Sequence, residues 1–213
     1  MKLVGIYGAS GHGREVMGML AKTPSVDTVF VFIDDNAARK AVNNRPCVNW
    51  DEFLAAPAQS KETVLAIGDG RTRERLAAKC KAAGIGFMPA HAHNSVILEE
   101  VELGEGSVLC PFSIITSNVV IGRQFHANYY SQVSHDCVIG DFVTLAPGAR
   151  CNGNVVIEDH AYIGSGAILR QGKPGDPLVI GEGAVVGMGA VVTNSVPAGA
   201  TVIGNPARPL EKN

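Results

Sequence analysis

The chain has 213 residues, 46% of them hydrophobic and 18% charged, with a formal net charge of −2. That composition supplies a packed core and excludes intrinsic disorder, which needs low hydrophobicity with high net charge. The near-neutral balance also argues against an electrostatic grip on a nucleic-acid backbone or an anionic membrane. In chain order, Lys2 to Tyr7 reads as a short apolar strand, followed by the glycine turn Gly8-Ala9-Ser10-Gly11-His12-Gly13. Arg14 to Lys22 has helical spacing, with Val16, Met19 and Leu20 on one face. Val29 to Ile33 is a second buried-type strand ending at Asp34-Asp35, and Thr63 to Ile67 a third ending at Gly68-Asp69-Gly70. Arg71 to Ala83 reads as another helix, closed by Gly84 in the C-cap role. Strands alternating with helices predict a small parallel α/β sheet.

From Ile97 the helical period gives way to a period of six. Stepping by six gives Ile97, Leu103, Leu109, Ile115, Ile121, Ala127, Val133, Ile139, Leu145, Cys151, Ile157, Ile163 and Leu169, and all but Ala127 and Cys151 are Ile, Leu or Val. The register breaks at Arg170-Gln171-Gly172-Lys173-Pro174-Gly175-Asp176-Pro177 and resumes at Ile180, Val186 and Val192. A hexapeptide repeat predicts a parallel β-helix, with three hexads to a triangular coil and the aliphatic residue pointing into the prism. Stacked coils are then about 4.7–4.9 Å apart. A β-sandwich would instead need period-2 alternation and variable loops.

The glycine turn follows a strand and opens a helix, so its backbone N–H groups can receive a phosphate. Its spacing, Gly8-xx-Gly11-x-Gly13, is not the dinucleotide fingerprint, and a full six-stranded Rossmann sheet is not expected in this length. Among the β-helix histidines, His126 and His160 are expected to be ordinary solvated side chains. His135 differs, because Asp136 follows it and its hexad position lies outside the prism. Histidine suits a base that takes a proton from an attacking amine or hydroxyl near neutral pH, and Asp136 can raise its basicity if the pair sits at a corner. Gly153 lies one 18-residue coil after His135 and should stack beside it, where its N–H can meet a negative oxygen that forms next to the base. A side chain there would crowd a group held beside the base; the alternative is a corner that requires positive φ. The five cysteines contain no CxxC, and Cys137 and Cys151 fall at inward positions, so they are read as core residues of a reducing compartment. No Cys/His set has zinc spacing, and no metal is expected. No apolar run reaches the ~18–20 residues of a spanning helix, and the opening residues lack a signal peptide's h-region. A soluble, cytoplasmic protein without membrane insertion is expected.

The hexads, with Ile139-Gly140-Asp141, Ile163-Gly164-Ser165-Gly166-Ala167 and the closing Gly204-Asn205-Pro206-Ala207, resemble those of the hexapeptide-repeat acyltransferases. Together with Tyr7 to Gly13, Asp34-Asp35, Ala66-Ile67-Gly68 and Ser134 to Gly140, the whole chain resembles one branch more closely. That branch holds the sialic acid O-acetyltransferases and the bacillosamine-pathway nucleotide-sugar N-acetyltransferases. The resemblance implies a small Rossmann-like α/β domain over residues 1–92 that binds a nucleotide-linked amino sugar. It implies a left-handed parallel β-helix over 93–213 that binds acetyl-CoA and carries the catalytic His135.

By the same resemblance Ser10, Gly11, His12, Asp34, Asp35 and Gly68 are candidates for nucleotide-sugar contact, with Asn128 added because its amide both donates and accepts. Thr144, Gly153, Ser165 and the Gly187-Met188 turn are candidates for acetyl-CoA contact, with the arm of the donor parallel to the prism axis. A homotrimer with sites in the clefts between copies is implied. The leading expectation is N-acetylation at a 4-amino group for surface glycan synthesis. O-acetylation of a sialic acid or related sugar is the enzyme alternative, and an inactive β-helix binding or scaffold protein is the alternative from another class.

Overall fold

The computed structural model describes residues 1–22, 27–36 and 40–210. The first part is a three-layer α/β unit. Strands β1 (Lys2–Tyr7), β2 (Thr28–Ile33), β3 (Ala41–Val42), β4 (Arg45–Val48), β5 (Ser60–Leu65) and β6 (Gly86–Phe87) form one sheet in the order β3-β4-β2-β1-β5-β6. All pairs are parallel except the β3-β4 hairpin. Central β1 is covered on both faces, which is why it reads as a continuous apolar run. Val4 and Ile6 pack against Val16, Met17 and Leu20 of helix α1 (Gly11–Leu20). Leu3 and Tyr7 face Trp50 and Phe53 of α2 (Trp50–Ala55) and Ala77 and Cys80 of α3 (Gly70–Ala82).

Several expected boundaries shift. The first helix begins at Gly11 rather than Arg14, so the second half of the glycine turn is its first turn. A Cβ on Gly13 would lie 1.8 Å from the Gly8 carbonyl oxygen, and only glycine permits that strand-to-helix approach. The sheet does reach six strands, because two of them are only two residues long. The β3-β4 hairpin and α2 are elements the periodicity does not reveal. Their signals are local: Asn43 and Asn44 both take left-handed φ in the hairpin turn, and Asn49 with Glu52 forms a reciprocal capping box.

The second part is a left-handed β-helix. Its three sheets run through Ala90–His91 to Arg208–Pro209, Val96–Ile97 to Val191–Val192 and Val101–Leu103 to Leu178–Ile180, and are called here the first, second and third faces. Rungs repeat every 18 residues, as in His126 to Thr144 to Tyr162. The next rung, Tyr162 to Val185, spans 185 − 162 = 23 positions, so the register break inserts five residues. From Leu109 onward the inward hexad residues, Cys137 and Cys151 included, form one continuous core. Ile97 is 39% exposed instead, because its rung pairs only with Ile115 and no coil stacks on its other side.

The corners are left-handed turns held mostly by ordinary residues. Asn118, Asp136 and Asn154 at one corner, and Gln124, Phe142 and His160 at another, all have φ between 56° and 61°. Such φ costs free energy at every corner, and the stacked coils over-determine it.

The first face of the β-helix carries the α/β unit. Arg73 of α3 has no exposed surface, and its guanidinium donates to five backbone carbonyls. These are Gln124 (2.9 Å), Phe142 (2.6 Å) and Val143 (3.2 Å) of the coils, and Ile67 (2.7 Å) and Gly68 (3.2 Å) of its own unit. Burial pulls its pKa down to about 9, with Asp69 working in the opposite direction. The five carbonyl dipoles keep it a cation at neutral pH.

His126 and His160 lie under this junction and are not the solvated side chains expected. His160 stacks on Phe142 with centroids 5.3 Å apart, and its Nε2 lies 3.3 Å from Glu74. His126 is fully buried against the His12 ring at 5.3 Å. Burial lowers the pKa of both His12 and His126, with Arg73 adding to the effect. Both rings stay neutral when folded, while an unfolded chain protonates them near pH 6.5. Stability is therefore flat above that value and falls as the pH drops through it, by up to about 1.4 kcal/mol per unit per ring. Thermal melts from pH 7.5 to 5 should show this loss, and His126→Leu should lessen the slope; an unchanged slope would show that His126 does not carry it.

Candidate active site

His135 and Asp136 sit at the corner between the second and third faces, where Asp136 takes a φ of 57°. On a flat strand the two side chains would diverge. The left-handed turn brings them together, with His135 Nδ1 2.7 Å from Asp136 Oδ2. The carboxylate can only accept, so Nδ1 carries the hydrogen and Nε2 presents a lone pair. Hydrogen bonding from His135 first, with further help from Asn118, holds the Asp136 carboxyl below the usual range. Asn118 lies one coil earlier and places its Nδ2 3.4 Å from Asp136 Oδ1. Stepping back 18 residues from Asp136 would have found it.

Gly153 stacks on His135 as its spacing predicts: the next residue, Asn154, donates its N–H to the His135 carbonyl at 3.0 Å. No positive φ occurs there, so the alternative of a left-handed corner does not account for the glycine. A Cβ at Gly153 would lie 2.5 Å from Cε1 and 2.6 Å from Nε2 of His135. The imidazole itself occupies that space. The Gly153 N–H has no hydrogen-bond partner among the described residues, so base and free donor lie within one coil spacing of each other.

The expected acetyl-CoA contacts do not all gather here. Thr144 lies on the first face, buried, with its hydroxyl donated to the Gly68 carbonyl at 3.0 Å. It faces the α/β unit and lines a cavity at the junction with Gly68 and His160, away from the corner of His135. Ser165, Gly187 and the 82% exposed Met188 lie at the corner between the first and second faces. Asn128 lies at that same corner, where its Nδ2 donates to the Leu145 carbonyl at 3.1 Å and ties the amide into the coil.

In the α/β unit, the loops after β1 and β5 flank the point where strand order reverses, the place where open α/β sheets bind ligands. Ser10 precedes α1 without a side-chain cap bond, and nothing lies within 4 Å of a Cβ built on Gly11. His12 and Gly68 instead turn to the junction, His12 onto His126 and Gly68 as acceptor for Arg73 and Thr144. A cavity of about 490 Å³ lies beside them, lined by Asp69, Arg71, His160 and Tyr162. Asp34 accepts from the Asn36 amide at 2.9 Å. Asp35 accepts from the Tyr7 hydroxyl (2.8 Å), Lys79 (3.4 Å) and the Trp50 amide (3.3 Å). Burial works against its ionised form, yet these bonds hold its carboxyl below the usual range.

Among the described residues, no group of three or more His, Cys, Asp or Glu could hold a metal ion, and no helix is long and apolar enough to cross a membrane. Residues 3–80 match the family described as the PglD N-terminal domain. The whole chain is 48% identical over 217 residues to a GDP-perosamine N-acetyltransferase of Escherichia coli O157:H7, covering 98% of that protein. WeeI from Acinetobacter baumannii AYE superposes with a TM-score of 0.95 at 53% identity, with 99% of this chain and 100% of that one covered. PerB from Caulobacter crescentus, solved with CoA and GDP-perosamine, gives 0.83 at 28% identity, with coverage of 98% and 97%. With full-length similarity of this degree, a left-handed hexapeptide-repeat β-helix and a Rossmann-like front unit, the chain belongs to the acetyl-CoA-dependent nucleotide-sugar N-acetyltransferases.

Proposed function

We propose that this acetyltransferase acts on a GDP-linked 4-amino sugar of the perosamine type. The observation that carries the reading is the 48% identity to a GDP-perosamine N-acetyltransferase along the whole chain. In this reading His135 Nε2 takes the proton of the attacking 4-amine, Asp136 stabilises the resulting imidazolium, and the Gly153 N–H meets the developing oxyanion. The sulfur of CoA leaves as the amide forms. Residues 1–92 bind the nucleotide sugar, through the amides of Gly11 to Gly13 and through Ser10 and Asp34, and residues 93–213 bind acetyl-CoA and perform the transfer. Incubation with acetyl-CoA and GDP-, UDP- or dTDP-linked 4-amino sugars, read by mass spectrometry, tests the assignment. Acetylation restricted to a UDP- or dTDP-linked sugar would overturn the choice of nucleotide.

A homotrimer is part of this reading. The outer faces expose Val96, Ile114, Val120 and Val138, an aliphatic surface suited to packing between copies. Ser165 and Met188 lie one corner away from His135, so they join its site only across such an interface. Light scattering should return three times the chain mass. Five buried cysteines, none of them in a disulfide, and the small net charge agree with a cytoplasmic enzyme that binds no nucleic acid.

The glycine turn offers a direct test of the front site. Gly11 is helical and its missing side chain would meet open space, so Gly11→Val disturbs no protein contact. It should weaken sugar-nucleotide binding about tenfold or more by covering the amides, a change of roughly 1.4 kcal/mol, while CoA affinity stays the same. Calorimetry in which both ligands weaken equally would make the turn merely structural.

A further inference from the structure

The proposed transfer gives Asn118 no task, yet its amide lies against the carboxylate that orients the base. Asn118 belongs to a stack of corner residues, Glu100, Asn118, Asp136 and Asn154, one per coil, with φ between 54° and 57°. Asparagine tolerates such a left-handed backbone better than most residues, which could account for it at a corner without any part in the chemistry. The rest of the stack argues otherwise. Glu100 holds the same conformation, so the corner does not select an amide. What sets position 118 apart is its neighbour one coil later.

His135 and Asp136 are each half exposed, so packing holds neither side chain. Gly153 backs the imidazole, whereas the carboxylate can turn about its own side-chain bond. Its Oδ2 lies 2.7 Å from His135 Nδ1, and its Oδ1 accepts from Asn118 Nδ2 at 3.4 Å. Two donors on two oxygens fix the plane of a carboxylate, and one alone leaves it free to rotate. The Asn118 bond is long, as catalytic hydrogen bonds commonly are in an unliganded site, and such bonds tighten in the transition state. A neutral amide also suits this place between Glu100 and Asp136, where a further carboxylate would repel both.

We propose that Asn118 is a positioning residue for the transfer. It holds Asp136 in the plane that keeps the Nε2 lone pair of His135 aimed at the attacking amine. It acts through Asp136 and touches neither substrate. This rests on the reading that makes His135 the base.

The test is Asn118→Gly in the full-length enzyme, because glycine keeps the positive φ and removes the amide. The kcat should fall about three- to tenfold, the worth of one hydrogen bond, with KM for both substrates and the melting temperature unchanged. Asn118→Asp, which sets an acceptor against Asp136 Oδ1, should lower kcat further. Glu100→Gly loosens the same corner without a bond to Asp136 and should leave kcat at its wild-type value. In an Asp136→Asn background Asn118→Gly should cost nothing more, since residues that act as a unit are not additive. The NMR signal of the His135 Nδ1 proton, identified by its loss in His135→Ala, should shift or broaden in Asn118→Gly. Equal losses in Asn118→Gly and Glu100→Gly would make Asn118 a turn residue only, and a full further loss in the Asp136→Asn background would show that it acts elsewhere. A slow His135→Ala beside a wild-type kcat in Asn118→Gly would overturn the positioning role alone. Wild-type kcat in both would overturn the reading of the base as well.

Discussion

His135→Ala should lower kcat at least about a hundredfold, with little change in acetyl-CoA affinity and an unchanged melting temperature. The side chain is half exposed and points away from the prism, so the core does not depend on it. General-base catalysis contributes about 10²–10⁴ to turnover, which sets the size of the loss. Asp136→Asn should give an intermediate loss, because the amide can no longer stabilise the imidazolium. Near wild-type kcat for His135→Ala across pH 6 to 9 would falsify the proposed mechanism.

The second large effect concerns stability. Arg73→Met should destabilise the protein by about 4 kcal/mol, the range seen when one member of a buried charged or hydrogen-bonded set is removed. The substitution nearly keeps the volume of the side chain but strips donors from five carbonyls, three of them on the β-helix. In a chain of this length that corresponds to a drop of about 10 °C in Tm. Limited proteolysis should then cut the α/β unit sooner than the coils, because the lost bonds join the two. A Tm within about 2 °C of wild type would mean that the apolar part of the junction, Val16 and Leu20 against Ala90 and Val108, holds it alone.

The hexad pattern by itself determined the β-helix, its 18-residue coil and the stacking of Gly153 on His135, because each inward position faces the same apolar prism and repetition makes the period unmistakable. The alternation of apolar strands with helices likewise determined the front sheet, and Ser10 and Gly11 stand open at its edge. Only the tertiary structure decided what depends on contacts between distant segments. Two-residue strands and the one-and-a-half-turn α2 are too short to show a period. His126, His160 and Thr144 look like outward coil positions until the α/β unit covers the first face. Arg73 occupies an apolar stripe with Ala77 and Cys80, a position where a charge is costly unless something meets it, and no local pattern names the carbonyls of Gln124, Phe142 and Val143 that do. The identity of the base was legible because its partner Asp136 is adjacent in sequence. Its pairing required a left-handed turn whose φ only the stacked coils could impose.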